Sequence, residues 1–252
     1  LRMSLSRTVT RPSFIEMAPF LYQESYGSAQ IRGNEELQNG YNYNFDLRYE
    51  RFGQNGDMLS ATVYYKFLDN PIERIQKLQG GATMHSFQNA DQGMATGIEL
   101  EFRKQLVRDL RLGANVSYMY TNVKLPEGGA YTNKDRSLQG ASPILLNADL
   151  TYSPRFDEDR QLNLSLLYNL QGKRIHAVGV SQLGDIDQMA VHTLNFNASY
   201  SFNRHLSARL QVSDLLNRAI VFKQEVPKTG EYVEVERFKE GTAFEVGISY
   251  NF

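Results

Sequence analysis

The feature that most restricts this chain is a period of two in hydropathy that returns in one stretch after another. At the C-terminal end Phe244, Val246, Ile248, Tyr250 and Phe252 alternate with Glu245, Gly247, Ser249 and Asn251. Successive side chains of a strand point to opposite faces, so this segment has one bulky apolar face and one small or polar face. Leu194, Phe196, Ala198, Tyr200 and Phe202 alternate with Asn195, Asn197, Ser199 and Ser201 in the same way. The stretch from Leu162 to Leu170 repeats the pattern with a break at Leu167, and Tyr41, Tyr43, Phe45, Leu47 and Tyr49 alternate with Asn42, Asn44, Asp46, Arg48 and Glu50. Strands of this kind set one face in an apolar medium and the other in water. The medium is either a protein core or a bilayer.

The spacing predicts about ten strands, each near the ~9 to 11 residues with which a tilted strand crosses a bilayer. They cover Arg2 to Val9, about 40–52, a stretch from Leu59, about 95–105, a stretch from Leu110, about 142–152, Leu162 to Leu170, Leu194 to Phe202, Leu206 to Ser213, and the C-terminal segment. The connections alternate in length. Long segments at 10–39, 70–92, 124–140, 172–190 and 217–240 are separated by short ones at 53–57, 106–109, 153–160 and 203–205, the first short one carrying the hairpin pair Asn55-Gly56. Short turns on one side and long loops on the other are the asymmetry of an outer-membrane barrel, and a soluble sandwich has no reason to follow it. The expected fold is therefore all-β, an antiparallel transmembrane β-barrel.

Composition narrows the alternatives. A formal net charge of -1 leaves no basic face for nucleic acid, and the absence of cysteine removes disulfides, thiolate chemistry and sulfur-ligated metals. No apolar run approaches the ~20 residues of a transmembrane helix. A low mean hydropathy of -0.46 still suits a barrel, in which half of each strand faces water. The 15 tyrosines and 14 phenylalanines can supply interfacial aromatics in a chain without tryptophan.

Energetics assign the faces. A one-residue slip of the strand at 40–52 would move Asp46, Arg48 and Glu50 into hydrocarbon. An Arg at the bilayer midplane costs ~2 to 4 kcal/mol, so the aliphatic and aromatic set faces lipid. Arg48, Glu50, Glu99, Glu101, Arg103 and Arg209 then face the lumen, where they are expected to pair across the wall or with a plug. On the long loops Arg11, Tyr22, Tyr26, Arg136, His176 and Arg237 are the ligand-binding candidates, because cationic and aromatic groups suit anionic or ring-bearing solutes.

Catalytic and metal chemistry find no support. His85 and Ser86 are adjacent and point to opposite faces of a strand, His205 lies in a turn, and around these, His176 and His192 the sequence offers no catalytic constellation, no His-x-His pair and no Glu-rich calcium loop. No cofactor, metal site or enzymatic activity is expected. A complete barrel of about ten strands, acting as a pore or hydrolase, and a soluble β-domain are the alternatives.

Several motifs resemble the TonB-dependent outer-membrane receptors, in the order that family shows them. Arg11-Pro-Ser-Phe14 resembles the motif at which a strand leaves for an external loop, and Gly33-Asn-Glu-Glu-Leu37 resembles its Gly-Asn-x-x-Leu motif. Asn70-Pro-Ile-Glu73, the stretch from Asn89 to Glu101, Ser142-Pro143 with Asn147, and Asp214-Leu-Leu-Asn217 are similar to later landmarks. The resemblance implies a 22-stranded barrel around an N-terminal plug in the outer membrane of a Gram-negative bacterium. Such a barrel takes up a scarce siderophore-, cobalamin-, peptide- or glycan-like nutrient with energy from a TonB-type partner. Residues 1–252 would be its C-terminal part, cut from something longer, with the plug, the TonB box and the remaining strands upstream of Leu1. Tyr250 and Phe252 resemble the terminal signal read by the barrel-assembly machinery.

Overall fold

A computed structural model of the chain describes residues 1–24, 28–79, 82–124, 132–133, 136–180 and 183–252. Among them ten strands form one antiparallel sheet in strict sequence order: β1 (Arg2–Thr10), β2 (Gly40–Phe52), β3 (Met58–Asp69), β4 (Gln92–Val107), β5 (Leu110–Lys124), β6 (Ile144–Tyr152), β7 (Gln161–Gln171), β8 (Val191–Ser201), β9 (Leu206–Ser213) and β10 (Ala243–Tyr250). These are the strands that the alternation predicts. β4 begins earlier than its hydropathy suggests, and β6 begins at Ile144, because Pro143 before it has no N–H to give the ladder.

Register keeps like faces together across the wall. In the pairing of β2 with β3, Phe45 lies opposite Tyr65 and Leu47 opposite Val63, while Arg48 lies opposite Thr62 and Glu50 opposite Ser60. One surface is consequently apolar from β1 to β10, and Leu5, Val63, Leu100, Val116, Leu166, Val246 and Ile248 lie exposed on it. Exposure of so large an apolar band is tolerable only against lipid. At the short-turn end of this surface Phe156, Tyr200 and Phe202 cluster, with Tyr200 and Phe202 edge-to-face at 4.8 Å. These aromatics belong at the interface between hydrocarbon and headgroups.

The inner surface is held by polar ladders. Asn147 donates to Asn115 at 2.7 Å, Asn169 donates to Asn147, and Thr193 donates to Asn169 at 3.4 Å, which links β5, β6, β7 and β8 side chain to side chain. Cross-strand bonds of this sort stabilise a sheet where no apolar core can.

The long loops carry strands of their own. Ile72–Gln79 and Ala82–Asn89 form a hairpin that joins Leu21–Tyr22 and Ile31–Arg32 in one four-stranded sheet. Arg174–Ala177, Ile186–Gln188, Ile220–Val226 and Glu231–Phe238 form a second. The segment 70–92 is thus a separate hairpin and not an extension of its flanking wall strands. Leu68, Ala95, Thr121 and Val123, all on the inner surface at the long-loop end, are buried because the loops lean over them. Leu138 N–H donates to the Thr121 hydroxyl at 3.0 Å, and Val123 N–H to the Arg136 carbonyl at 3.1 Å.

Candidate functional site: a cavity between the loop sheets

The two loop sheets meet along a short parallel bridge. Gln76 N–H donates to the Val178 carbonyl at 2.9 Å and Val178 N–H to the Arg74 carbonyl at 3.0 Å. Ile75 and Val178 are buried in the seam, and the Gln76 and Gln224 side-chain amides both donate to the Gly184 carbonyl, at 3.0 and 3.1 Å. Beside the seam lies a cavity of about 330 Å³. One wall is Ile186, Phe222 and Phe238 with the ring of His176, and the other is Arg74, His85 and Glu24.

Local backbone irregularity aims the side chains. Phe222 pairs with Glu236 and Lys223 with Glu234, so Val235 is an extra residue in the strand. Such a bulge re-aims the side chains beside it, and Val235 and Glu236 both line the cavity. His176 packs edge-on against Phe222 at 4.7 Å and lies 6.1 Å from His85.

The charges inside are largely spoken for. Arg74 donates from Nη1 to Glu24 at 2.8 Å and from Nε to His85 Nδ1 at 2.9 Å, which places the His85 proton on Nε2. Burial, with Arg74 adding to it, pushes His85 down to about 3. Burial also pushes His176 down to about 4, helped by Arg74. Both imidazoles are neutral at physiological pH. Among the described residues no cluster of three or more His, Cys, Asp or Glu is arranged to hold a metal ion.

Of the loop residues singled out from sequence, His176 alone among the described ones lines this cavity. Arg136 is buried against Glu73 and contacts no ligand space there. Arg237 is exposed and held to Glu234 at 2.7 Å, and Arg11 is exposed at the foot of the first loop. Tyr22 is half-buried, its hydroxyl pushed up first by burial and then by Glu24. Tyr26 lies outside the described residues. Arg74, Phe222, Glu236 and Phe238 are not among the candidates that the sequence offers, and His85 figures there only as a catalytic group set aside, because 70–92 and 217–240 read as long connections. The run of β-branched and aromatic residues from Ile220 to Val226, a Thr229-Gly230 turn and a second such run are the hairpin signal that marks three of them.

The inward charges form a chain across the wall. Arg2 reaches Glu50 at 3.0 Å, and Arg48 bridges Glu50 and Glu101 at 2.9 Å each. Arg103 meets Glu101 at 2.8 Å, and Arg209 meets Glu245 at 2.8 Å. Glu99 faces the same side, opposite Thr62 and Ser117. Tyr250 and Phe252 pack edge-to-face at 5.3 Å at the short-turn end.

No curated protein matches the sequence. Among solved structures the chain resembles the copper transporter OprC, with 14% identity over 99% of this chain and 36% of that one and a TM-score of 0.63. It also resembles a mutant of the ferric enterobactin receptor PfeA from Pseudomonas aeruginosa, at 16% identity over 99% of this chain and 38% of that one, TM-score 0.60. The siderophore receptor PirA from Acinetobacter baumannii matches at 14% identity over 99% and 38%, TM-score 0.59. Identities this low establish the fold, and the chain spans well under half the length of each of these proteins. Two of these are receptors and one is a transporter. A family model described as outer membrane protein beta-barrel matches residues 1–250, so the chain belongs to that family and resides in the Gram-negative outer membrane.

Proposed function

We propose that this chain is the C-terminal part of a TonB-dependent transporter that takes up a scarce nutrient across the outer membrane, without covalent chemistry. The observation that carries the reading is the combination of a lipid-facing wall of sequential strands with loops that fold inward over its mouth and enclose a cavity. An open ten-stranded wall leaves β1 and β10 as edges, and unpaired edges cannot stand in hydrocarbon. Further strands of a longer polypeptide, 22 in all, satisfy those edges and surround a plug. The solved structures that the chain resembles, each more than twice its length, support the same reading. Ligand is captured at the loops and released inward when the energising partner remodels the plug. The barrel-assembly machinery inserts the wall through its last strand.

The intact mass of the native polypeptide from outer membranes tests this first. The transporter reading expects more than about twice the 28.8 kDa of residues 1–252. A mass near 28.8 kDa requires closure with ten strands, which leaves no room for a plug, and overturns it. Loss of the gene should then slow growth when the nutrient is scarce and leave growth in rich medium unchanged.

A further inference from the structure

We infer that the cavity between the loop sheets binds a ring-bearing organic cation, with Glu236 as its counter-ion and Phe222 and Phe238 as its aromatic wall. This assignment rests on the uptake reading and specifies what the loops select.

The charge balance of the lining carries it. Arg74 supplies the positive charge, Glu24 and Glu236 the negative ones. Arg74 is satisfied by Glu24 and His85. The two histidines are uncharged above pH 5, because burial holds them at about 3 and about 4. Glu236 is left, a half-buried carboxylate on the cavity wall with no ion pair or side-chain hydrogen bond among the described residues. Two neighbouring cations outside the lining are ion-paired, Lys173 with Asp187 at 2.9 Å and Arg237 with Glu234, while Arg174, also outside it, donates to the Gln188 amide at 2.7 Å. An anion entering here would meet an uncompensated carboxylate and find no unpaired guanidinium in the lining to answer it.

The aromatic wall suits the opposite charge. Phe222 and Phe238 lie 6.2 Å apart at 23°, and the His176 ring adds an edge to Phe222. The face of a phenyl ring attracts a cation, more strongly once water is excluded. A cavity of about 330 Å³ is at the small end of ligand sites and holds one ring with its charged head, the recognised end of a larger solute.

The test uses the native polypeptide in detergent micelles and two probes that share a phenyl ring, benzyltrimethylammonium and benzoate. Titration followed by ligand-observed NMR should show the cation binding at least about tenfold more tightly than the anion. Glu236→Gln keeps the shape, and should lower affinity for the cation about tenfold while leaving benzoate no weaker. Heat-modifiable migration on a gel confirms that the variant barrel is folded. Equal affinity for the two probes, or an unchanged affinity for the cation in the variant, overturns the assignment. The two readings separate cleanly. A gene whose loss impairs growth on the scarce nutrient, with no preference for the cation, sinks only the ligand class; preference for the cation without any growth effect sinks only the uptake reading.

Discussion

Arg136 grips Glu73 with both terminal nitrogens, Nη1 to Oε1 at 2.9 Å and Nη2 to Oε2 at 2.6 Å, and each side chain is only 3% exposed. Glu73 sits in the hairpin after β3, and the Arg136 carbonyl is bound by Val123 of β5. Glu73 Oε1 also accepts the Gln139 N–H at 3.2 Å. One ion pair therefore ties two long loops to the mouth of the wall.

Removal of one partner from a buried pair strands the other charge, at roughly 3 to 5 kcal/mol. Arg136→Met or Glu73→Gln should therefore release the strand Ile72–Gln79, seen as faster amide exchange there with unchanged protection in β5 and β6. Replacing both residues with apolar ones of similar volume should restore most of the protection, since a well-packed apolar pair is often as stable as a buried ion pair. Exchange that is no faster in either single variant would mean that the pair does not hold the loop.

Acid should loosen the loop layer before it harms the wall. His85 and His176 are depressed by burial to about 3 and about 4, below the ordinary 6.5. As pH falls below 6.5 the unfolded loop takes up protons that the folded one refuses, so stability is full above 6.5 and declines down to the folded values. Limited proteolysis from pH 7.5 to 4 should show increasing cleavage around 72–89 and 174–188, and His85→Gln combined with His176→Asn should flatten the profile. Cleavage that is independent of pH in the unaltered protein would remove the histidines from the account.

The wall was legible because lipid on one side and water on the other impose a period of two on each crossing strand, and residues such as Phe45 and Asp46 can be sorted without knowing any partner. Motif glycines and asparagines were visible as well, though their reasons were not. A side chain at Gly33 would collide with the Ala18 carbonyl oxygen, and Asn34 donates to the Phe87 carbonyl at 3.0 Å, pinning the first loop to the hairpin. The cavity stayed hidden because it joins Arg74, His176 and Phe222, residues of three loops that share no local period. Arg136 carried the charge of a ligand contact in the sequence, and only its burial against Glu73 reveals the role that it has.

Adjacent residues of β5 should respond oppositely to the same substitution. Val116 lies on the apolar surface and Asn115 on the inner one, opposite Asn147. Val116→Arg should cost ~2 to 4 kcal/mol in urea titrations of protein folded into lipid vesicles, and Asn115→Arg about 1 or less, the loss of one neutral hydrogen bond. Similar costs at both positions would mean that the two faces are not lipid and water.

Phe252 separates two roles of the terminal aromatic. Its ring is fully exposed and touches Tyr250 edge-on, while Asn251 donates to the His205 carbonyl at 2.8 Å and so fixes where the chain end points. Little packing is lost on truncation, so Phe252→Ala should change the stability of protein refolded in vesicles by no more than about 0.5 kcal/mol. If the residue is read during assembly, the same variant should reduce folded protein in outer membranes severalfold, measured as the heat-modifiable fraction in cell envelopes. An anchor without a signalling role gives the reverse result, an undiminished yield in cells with a clear loss of stability in vesicles. The two assays on one variant thus decide whether the end of β10 serves insertion or only the finished wall.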